Sequence, residues 1–239
     1  MAAVALINST LFSDANLKAY WRYESDSTDE IGTADGTDSN MTYVAGKFGN
    51  AASFNNTSGK ITIADNAAMS IATNGTWMFW IKPNSVTANG GDQLFAQWAS
   101  GQYSVNILQL SASGNLGIYL ASNHTTGAGS EAYSSGTAIT TDWCLVAIVK
   151  NGATVTFYIN GSAAGATGTQ VTIDTGATSD FIFGNNGNGD GYYGGLLDDF
   201  AIFDRALSAT EIADHYSGAD AVGGGTVKRV MNLPLLGVG

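Results

Sequence analysis

The chain has 239 residues, enough for one large domain or for one domain with appendages. Twenty acidic residues against nine basic ones give a net charge of −11, which offers no positive surface to nucleic-acid phosphates and repels an anionic membrane. No run approaches the roughly 20 apolar residues of a membrane-spanning helix. We therefore expect neither a nucleic-acid partner nor membrane insertion, and the single cysteine, Cys144, excludes a disulfide within the chain.

Residues 1–14 are predicted to form an N-terminal arm. Their apolar run is short and no basic segment precedes it, so they make a poor secretion signal. The first clear strand follows at residues 76–82, where Trp77, Phe79 and Ile81 alternate with Met78 and Trp80. This period of two predicts a strand with one apolar set on each face.

Four further segments read as two hairpins. Residues 103–110 and 115–120 are separated by a glycine-containing turn, and residues 143–150 lead through Asn151-Gly152 into residues 153–159. Residues 143–150 are apolar on both faces, which predicts a central strand covered on both sides. Asn160-Gly161 predicts a second tight turn, since both residue types tolerate a positive φ. Residues 180–184 and 196–203 complete the predicted strands.

One helix is predicted, directly after the last strand. Ser208 and Glu211 have the spacing of a capping box, and Leu207 and Ile212 have the spacing of the accompanying hydrophobic staple. Gly218 is predicted to end the helix.

Residues 219–239 have a different composition, with a glycine-rich linker followed by a basic, apolar tail. A large apolar segment left in water would be a liability. We therefore expect the tail and the N-terminal arm to dock on this chain, on a sister copy or on another protein.

The order of motifs resembles the laminin-G-like, concanavalin A-like domains, in the branch found in bacterial surface and viral proteins. The resemblance covers roughly residues 15–218, and its last segment is the most specific. It rests on these segments: "LKAYWRYES", "YVAGKFGNAASFNN", "GTWMFWIKP", "DWCLVAIVKNGATVTFYING" and "GGLLDDFAIFDRALSATEIADHY". It implies an all-β fold, a two-sheet antiparallel jelly-roll sandwich with one short C-terminal helix, in agreement with the strands above. The family includes lectins, carbohydrate-binding modules, adhesion domains and some glycoside hydrolases, so the fold alone does not define an activity.

The resemblance also implies a structural Ca²⁺ site. In similar domains an early-loop aspartate and a strand aspartate hold the ion, and Asp29 and Asp198 match those positions here. The family's Ser-Gly-Asn run after the loop aspartate is missing. The alternative is that both are ordinary solvated or hydrogen-bonded acids.

The loop of residues 184–195 is the predicted ligand-binding segment, because it combines amides, an acid and aromatic rings. Its candidate ligand-binding residues are Asn185, Asn186, Asn188, Asp190, Tyr192 and Tyr193. The alternative is that the two tyrosines begin the next strand, with one of them buried. Trp21, Trp77, Trp80 and Trp143 lie in apolar, strand-like contexts that favour the core, whereas the context of Trp98 leaves its place open.

No catalytic arrangement is visible in the sequence. The E-x-D-x-x-E strand of related hydrolases does not occur, and Glu211 is assigned to the helix cap. We therefore predict a non-enzymatic protein, with no catalytic residue. The favoured hypothesis is a virion surface subunit, such as a phage capsid decoration or fibre protein. It would be assembled in the host cytoplasm through its terminal arms, with other copies or a larger particle as partner, and glycans or cell surfaces as possible ligands. The alternative is a calcium-dependent carbohydrate-binding module or lectin of a secreted bacterial protein, which would be extracellular.

Overall fold

The computed structural model describes residues 11, 13–32, 34–86, 92–110, 114–135, 139–167, 169–189 and 191–223. These residues form fifteen β-strands in two antiparallel sheets that pack face to face, followed by one α-helix. Within this part of the chain, no helix combines the length and apolarity needed to cross a bilayer.

The strands follow one another through turns and loops, and one 3₁₀ turn (Ala67–Met69) precedes β6. In chain order the elements are β1 (Leu17–Trp21), β2 (Gly36–Ser39), β3 (Thr42–Ala45), β4 (Asn50–Asn55), β5 (Lys60–Ile63), β6 (Asn74–Pro83), β7 (Asp92–Ala99), β8 (Gln102–Leu110), β9 (Asn115–Ala121), β10 (Gly129–Tyr133), β11 (Cys144–Asn151), β12 (Thr154–Ile159), β13 (Ser162–Thr167), β14 (Phe181–Phe183), β15 (Gly194–Phe203) and α1 (Ala209–Gly223).

One sheet has eight strands in the order β13-β12-β11-β6-β15-β4-β3, with β1 also paired to β15. The other has seven strands in the order β10-β9-β8-β7-β14-β5-β2. The main core lies between them, and Phe200 is near its centre. The Phe200 ring stacks on Phe79 from its own sheet at 4.8 Å and meets Phe183 of the other sheet edge-on at 4.8 Å. The predicted all-β jelly-roll sandwich with a C-terminal helix is confirmed.

The face assignments made from period-two alternation are also confirmed. Trp77, Phe79 and Ile81 lie in the main core, whereas Met78 and Trp80 lie in a second apolar cluster on the opposite side of the eight-stranded sheet. Strand β11 contributes to both clusters, as its two apolar faces predicted. Strands β1 to β5, β7, β10 and β13 were not among the predicted strands. Of these, the polar strands β2 and β10 and the small-residue strand β13 carry little apolar alternation, and these three are at sheet edges.

The two predicted Asn-Gly turns differ in geometry. Asn160 and Gly161 are the central residues of the β12–β13 turn and both have positive φ, 52° and 77°, as a two-residue hairpin requires. In the β11–β12 turn the strand pairing continues through Asn151, so the central residues are Gly152 and Ala153. Only Gly152 has a positive φ there, 56°.

The helix α1 begins at the predicted capping box. The Ser208 N–H donates to the Glu211 carboxylate at 2.7 Å, and the Glu211 N–H donates to Ser208 Oγ at 3.2 Å. The predicted staple residues Leu207 and Ile212 are both buried in the second apolar cluster. The prediction that Gly218 ends the helix is wrong, because α1 continues to Gly223. A glycine costs a helix only about 1 kcal/mol relative to alanine, which is too little to end it by itself.

Candidate ligand-binding face and buried aspartate pair

The outer face of the seven-stranded sheet, the side turned away from the main core, carries a mixed row of side chains. In strands β7 to β10 the core-facing residues alternate with residues that face outward. Register pairs Ala96 with Asn106, Asn106 with Tyr119, and Tyr119 with Glu131. These four residues therefore form one line across four adjacent strands.

Three aromatic rings cluster beside this line. Trp98 lies 4.7 Å from Tyr103 and 4.8 Å from Tyr119, between ring centroids, and all three side chains are half-buried. Between the pairs Ala96–Asn106 and Trp98–Tyr103, strand β8 contains one residue more than β7. This bulge reverses the side on which Tyr103 would otherwise point and brings it to Trp98 on the outer face. We call Trp98, Tyr103 and Tyr119 the aromatic cluster.

The predicted ligand-binding loop lies along β7, next to this cluster. The Gly184 N–H donates to the Leu94 carbonyl at 3.2 Å, and the Gly187 N–H donates to the Trp98 carbonyl at 2.7 Å. At its tip, Asn188 Oδ1 accepts the Ser100 N–H at 3.1 Å. The loop therefore reaches from one end of β7 to the other.

The structure divides the loop's six candidate residues. Asn188 is exposed, Tyr192 is half-buried, and Asn186 is mostly buried with its Oδ1 accepting the Asn188 N–H at 3.0 Å. Tyr193 is wholly buried, packs on Phe54 and donates its hydroxyl to the Leu196 carbonyl at 3.3 Å. The prediction that Tyr193 contacts a ligand is therefore wrong, and the alternative, that one of the two tyrosines is buried, is confirmed. Asp190 lies outside the described residues.

Two buried amide oxygens near the cluster have no hydrogen-bond partner among the described residues. They are Asn106 Oδ1, on the outer-face line, and Asn185 Oδ1, at the start of the loop. The side chains are 6% and 1% exposed. A buried carbonyl oxygen without a donor costs about 1–3 kcal/mol, and neither oxygen is exposed to solvent.

Asp29, a predicted calcium ligand, already has a complete set of donors. Its Oδ1 accepts the backbone N–H groups of Tyr20 and Ile31, and its Oδ2 accepts those of Gly32 and Ala34, at 2.8–3.2 Å. These four bonds fill the acceptor positions of the carboxylate. Asp29 therefore folds its own loop against β1.

Asp198 and Asp199 lie where the neighbour of β15 changes. Before them β15 pairs with β4, and after them it pairs with β1. One extra residue in β15 at this point, with Asp199 at φ 48°, interrupts its pairing with β6. Uninterrupted alternation from Phe200 and Ile202 would place Asp198 on their face. The bulge prevents this, and Leu197 rather than Asp198 joins them in the main core.

The two carboxyl groups of this pair connect three segments of the chain. Asp198 Oδ2 accepts the N–H groups of Lys47 and Phe48 at 2.8 and 3.0 Å, and Asp199 Oδ1 accepts the Tyr20 hydroxyl at 2.5 Å. The other oxygen of each is buried with no partner in the described chain. Burial raises the pKa of both carboxyl groups well above the usual range, and their mutual repulsion adds to the rise for Asp198.

These contacts do not fit the predicted Ca²⁺ site, in which Asp29 and Asp198 together hold the ion. Asp198 keeps one unpartnered oxygen, but every acceptor position of Asp29 is taken by a backbone N–H. Ca²⁺ requires six to eight oxygen ligands. Within the described ranges, no three histidine, cysteine or acidic side chains come together around a common point.

Four of the five tryptophans are where the sequence suggested. Trp21, Trp77 and Trp80 are buried, and Trp143 is half-buried at the margin of the second apolar cluster. Trp98, whose place the sequence left open, lies on the outer face. Sequence reasoning missed Tyr103, Tyr119 and Asn106 as its neighbours. The alternation of Asn106 and Tyr119 with apolar residues was a usable signal, but the bulge that turns Tyr103 outward was not.

Comparison with known proteins identifies the class of the chain. Residues 55–213 match the family model Laminin_G_3, described as the concanavalin A-like lectin/glucanases superfamily. The chain therefore belongs to this family, as its motifs suggested. No curated protein sequence matches.

Several solved structures share the fold. One is domain 4 of AbnA, a GH43 extracellular arabinanase from Geobacillus stearothermophilus, in complex with arabinotriose. It is 21% identical with a TM-score of 0.68, over 85% of this chain and 100% of that one. Another is the binding domain of Paraclostridial Mosquitocidal Protein 1, 22% identical with a TM-score of 0.68, over 84% of this chain. A third is the botulinum neurotoxin serotype D binding domain, 19% identical with a TM-score of 0.65, over 85% of this chain. The chain spans 52% of the length of each of these two binding domains.

Proposed function

We propose that this chain is a non-enzymatic binding domain and that its outer face recognises carbohydrate through the aromatic cluster. The observation that carries the proposal is the position of Trp98, half-buried against two tyrosine rings on the face turned away from the core. Trp98 is held on two sides, so its ring can be presented to a ligand at a low entropic cost.

The surroundings of the cluster supply what a saccharide needs besides a ring. A small-molecule site combines apolar and aromatic surface with a few polar groups that fix orientation. Here the polar groups are Asn106 beside Tyr119 in the register, and Asn188 at the tip of the adjacent loop. The AbnA domain of the same fold, seen in complex with arabinotriose, supports a saccharide ligand.

The buried aspartate pair does not serve a saccharide on this face. Glycoside hydrolysis uses two carboxyl groups that flank the sugar. Asp198 and Asp199 form a pair, but both are buried, and they belong to the eight-stranded sheet rather than to the face that carries Trp98.

Replacing Trp98 tests the proposal. We expect Trp98→Ala to weaken binding to any glycan identified on a neutral glycan array about tenfold or more, as loss of a central aromatic anchor does. Val44→Ala is the control, because Val44 is an exposed apolar residue, 40% exposed, on the other sheet. Thermal unfolding establishes that both variants are folded. Unchanged affinity in Trp98→Ala would contradict the proposed site.

As a finer proposal, the domain is a virion surface subunit held by its terminal arms, with the outer face directed away from the particle. This retains the sequence-based hypothesis, including assembly in the host cytoplasm. It is supported by the apolar composition of residues 227–236, which are suited to docking. The arms fall almost wholly outside the described residues. The alternative remains a secreted lectin, for which the AbnA likeness is the support.

Calcium binding through Asp29 and Asp198 stays a prediction, and it would require Asp29 to exchange backbone N–H bonds for the ion. Adding 1 mM Ca²⁺ to EDTA-treated protein is expected to raise the unfolding temperature if the ion binds the folded chain. Asp29→Asn should then abolish the increase. An unfolding temperature that is the same with and without Ca²⁺ would contradict the prediction.

A further inference from the structure

The distribution of charge points to the class of saccharide, an inference that rests on the proposed function. We infer that the outer face selects uncharged saccharides and rejects those that carry carboxylates. Two features of the structure lead to this conclusion: where the basic residues lie, and what charges surround the aromatic cluster.

The basic residues of the described chain are concentrated on the other sheet. Six of them belong to strands of the eight-stranded sheet or to the segments that connect them, namely Lys18, Arg22, Lys47, Lys82, Lys150 and Arg205. Only Lys60, on β5, belongs to the seven-stranded sheet, and β14 separates β5 from the strand of Trp98.

Several of these cations are also held by partners. Arg205 binds both Asp14 and Glu211 at 2.5 Å, Arg22 binds Glu24 at 2.8 Å, and the Lys47 ammonium lies 4.3 Å from the centre of the Trp80 ring. They are committed to the eight-stranded side of the molecule. Carboxylate recognition typically relies on arginine or lysine, and the described outer face brings neither to the aromatic cluster.

Two acidic side chains, those of Glu131 and Asp174, lie near the cluster. Glu131 is exposed, neighbours Tyr119 in the register and accepts the Tyr133 hydroxyl. His124, whose carbonyl accepts the Tyr103 N–H, has its ring Nδ1 2.8 Å from Asp174. The N–H groups of His124 and Gly176 lower the pKa of Asp174 to about 2, so this aspartate is ionised at neutral pH. An anionic ligand would meet negative charge on both sides.

Matched pairs of ligands test the inference. A glycan array carrying neutral and carboxylated oligosaccharides is probed at pH 7. Binding of two matched pairs is then titrated, galactotriose against trigalacturonic acid and lactose against 3′-sialyllactose. The best neutral ligand from the array is titrated as well. We expect binding among the neutral glycans only. We also expect every carboxylated partner of a bound sugar to bind at least tenfold more weakly.

A charge reversal on the face provides the second test. Glu131→Lys should raise the affinity for the carboxylated partner severalfold and leave the neutral sugar nearly unchanged. Glu30→Lys, at an exposed acid beside β1, changes the net charge equally and should change neither. Equal effects of the two variants would show that net charge rather than the face is responsible, and would overturn the inference.

The remaining outcomes separate the two proposals. Equal or tighter binding of carboxylated glycans, lost in Trp98→Ala, would overturn the selectivity and leave the carbohydrate-binding function standing. No binding to any glycan on the array would overturn the proposed function and the inference with it.

Discussion

At the scale of single residues, Asp198 and Asp199 show how a buried acid pair can be part of a fold. They fill the point on β15 where pairing passes from β4 to β1, and they accept hydrogen bonds from the β3–β4 turn and from Tyr20. Asp199 adopts a positive φ of 48°, which aspartate and asparagine tolerate better than most residues. Two unscreened charges so close together are costly, so the pair holds protons at a pH where exposed aspartates have lost theirs.

This pair should make the folded chain lose stability as pH rises. The raised pKa values mean that the folded state keeps protons which the unfolded state releases above about pH 4, the ordinary value for aspartate. The free energy of unfolding therefore falls from about pH 4 until the raised values are passed, by at most ~1.4 kcal/mol per pH unit for each proton.

Asp199→Asn should flatten that dependence, because asparagine resembles the protonated acid and can still accept the Tyr20 hydroxyl bond. Urea unfolding followed by tryptophan fluorescence from pH 5 to pH 8 measures it. We expect the variant to gain stability relative to the original chain as pH rises. Parallel curves for the two chains would contradict the assignment.

The cap of α1 belongs to the same scale. Glu211 accepts the Ser208 N–H and also binds Arg205, and the Arg205 bond is the main reason that the pKa of Glu211 falls to about 2. Glu211→Ala should lower the free energy of unfolding by about 1–2 kcal/mol. Glu211→Gln keeps an acceptor for the cap and should cost less, because partly exposed ion pairs contribute only about 0–1 kcal/mol. Equal losses in urea titration would show that the charge matters more than the cap.

At the scale of elements, the turn between β12 and β13 supports the helix. Gly161 has φ 77°, and a Cβ added there would lie 3.1 Å from Tyr216 Cβ on α1. Tyr216 in turn stacks on Trp80 at 6.0 Å. The turn and the helix therefore cover the eight-stranded sheet together.

Gly161→Ala and Gly101→Ala form a matched pair for this contact. Both glycines hold the second central position of a two-residue turn, with φ 77° and 72°, but a Cβ at Gly101 would meet nothing within 4 Å. Each variant should lose about 1 kcal/mol for an alanine at positive φ. Gly161→Ala should lose more, since α1 must shift. If thermal or urea unfolding showed equal losses of stability in the two variants, α1 would accommodate the added methyl group without a measurable energetic cost.

At the scale of the whole molecule, the eight-stranded sheet is the central layer, with apolar surface on both sides. One side meets the seven-stranded sheet, and the other carries a second cluster that includes Trp80, Phe203 and Ile212 of α1. The seven-stranded sheet leaves its outer face to the aromatic cluster and the loop of residues 184–195. Binding and anchoring can therefore use opposite sides of one sandwich.

The anchoring proposal predicts the state of association. Because α1 continues to Gly223, a chain that ends there keeps the whole helix, whereas one ending at Gly218 would cut it. We expect the full chain to form a defined oligomer by light scattering, and the chain ending at Gly223 to be a monomer with unchanged glycan binding. If both chains were monomers, the prediction of self-association through the tail would be wrong, and the lectin alternative would be favoured.

The amino-acid sequence by itself determined the strand core of this protein and the start of its helix. Trp77 and Met78 point to opposite faces, β11 is covered on both sides, and Ser208 caps α1 with Glu211, because alternation and capping depend on residues a few positions apart. The order of motifs indicated the family, which the match over residues 55–213 confirms.

Only the tertiary structure decided what surrounds the candidate sites. The bulge at Asp198–Asp199 removed Asp198 from the core-facing set, and the bulge in β8 turned Tyr103 toward Trp98. The sequence left the places of Tyr193 and Trp98 open, and the structure puts one in the core and the other on the outer face. The physical reason is that a bulge is set by the registers of neighbouring strands. Those registers join residues far apart in the chain, which local periodicity cannot report.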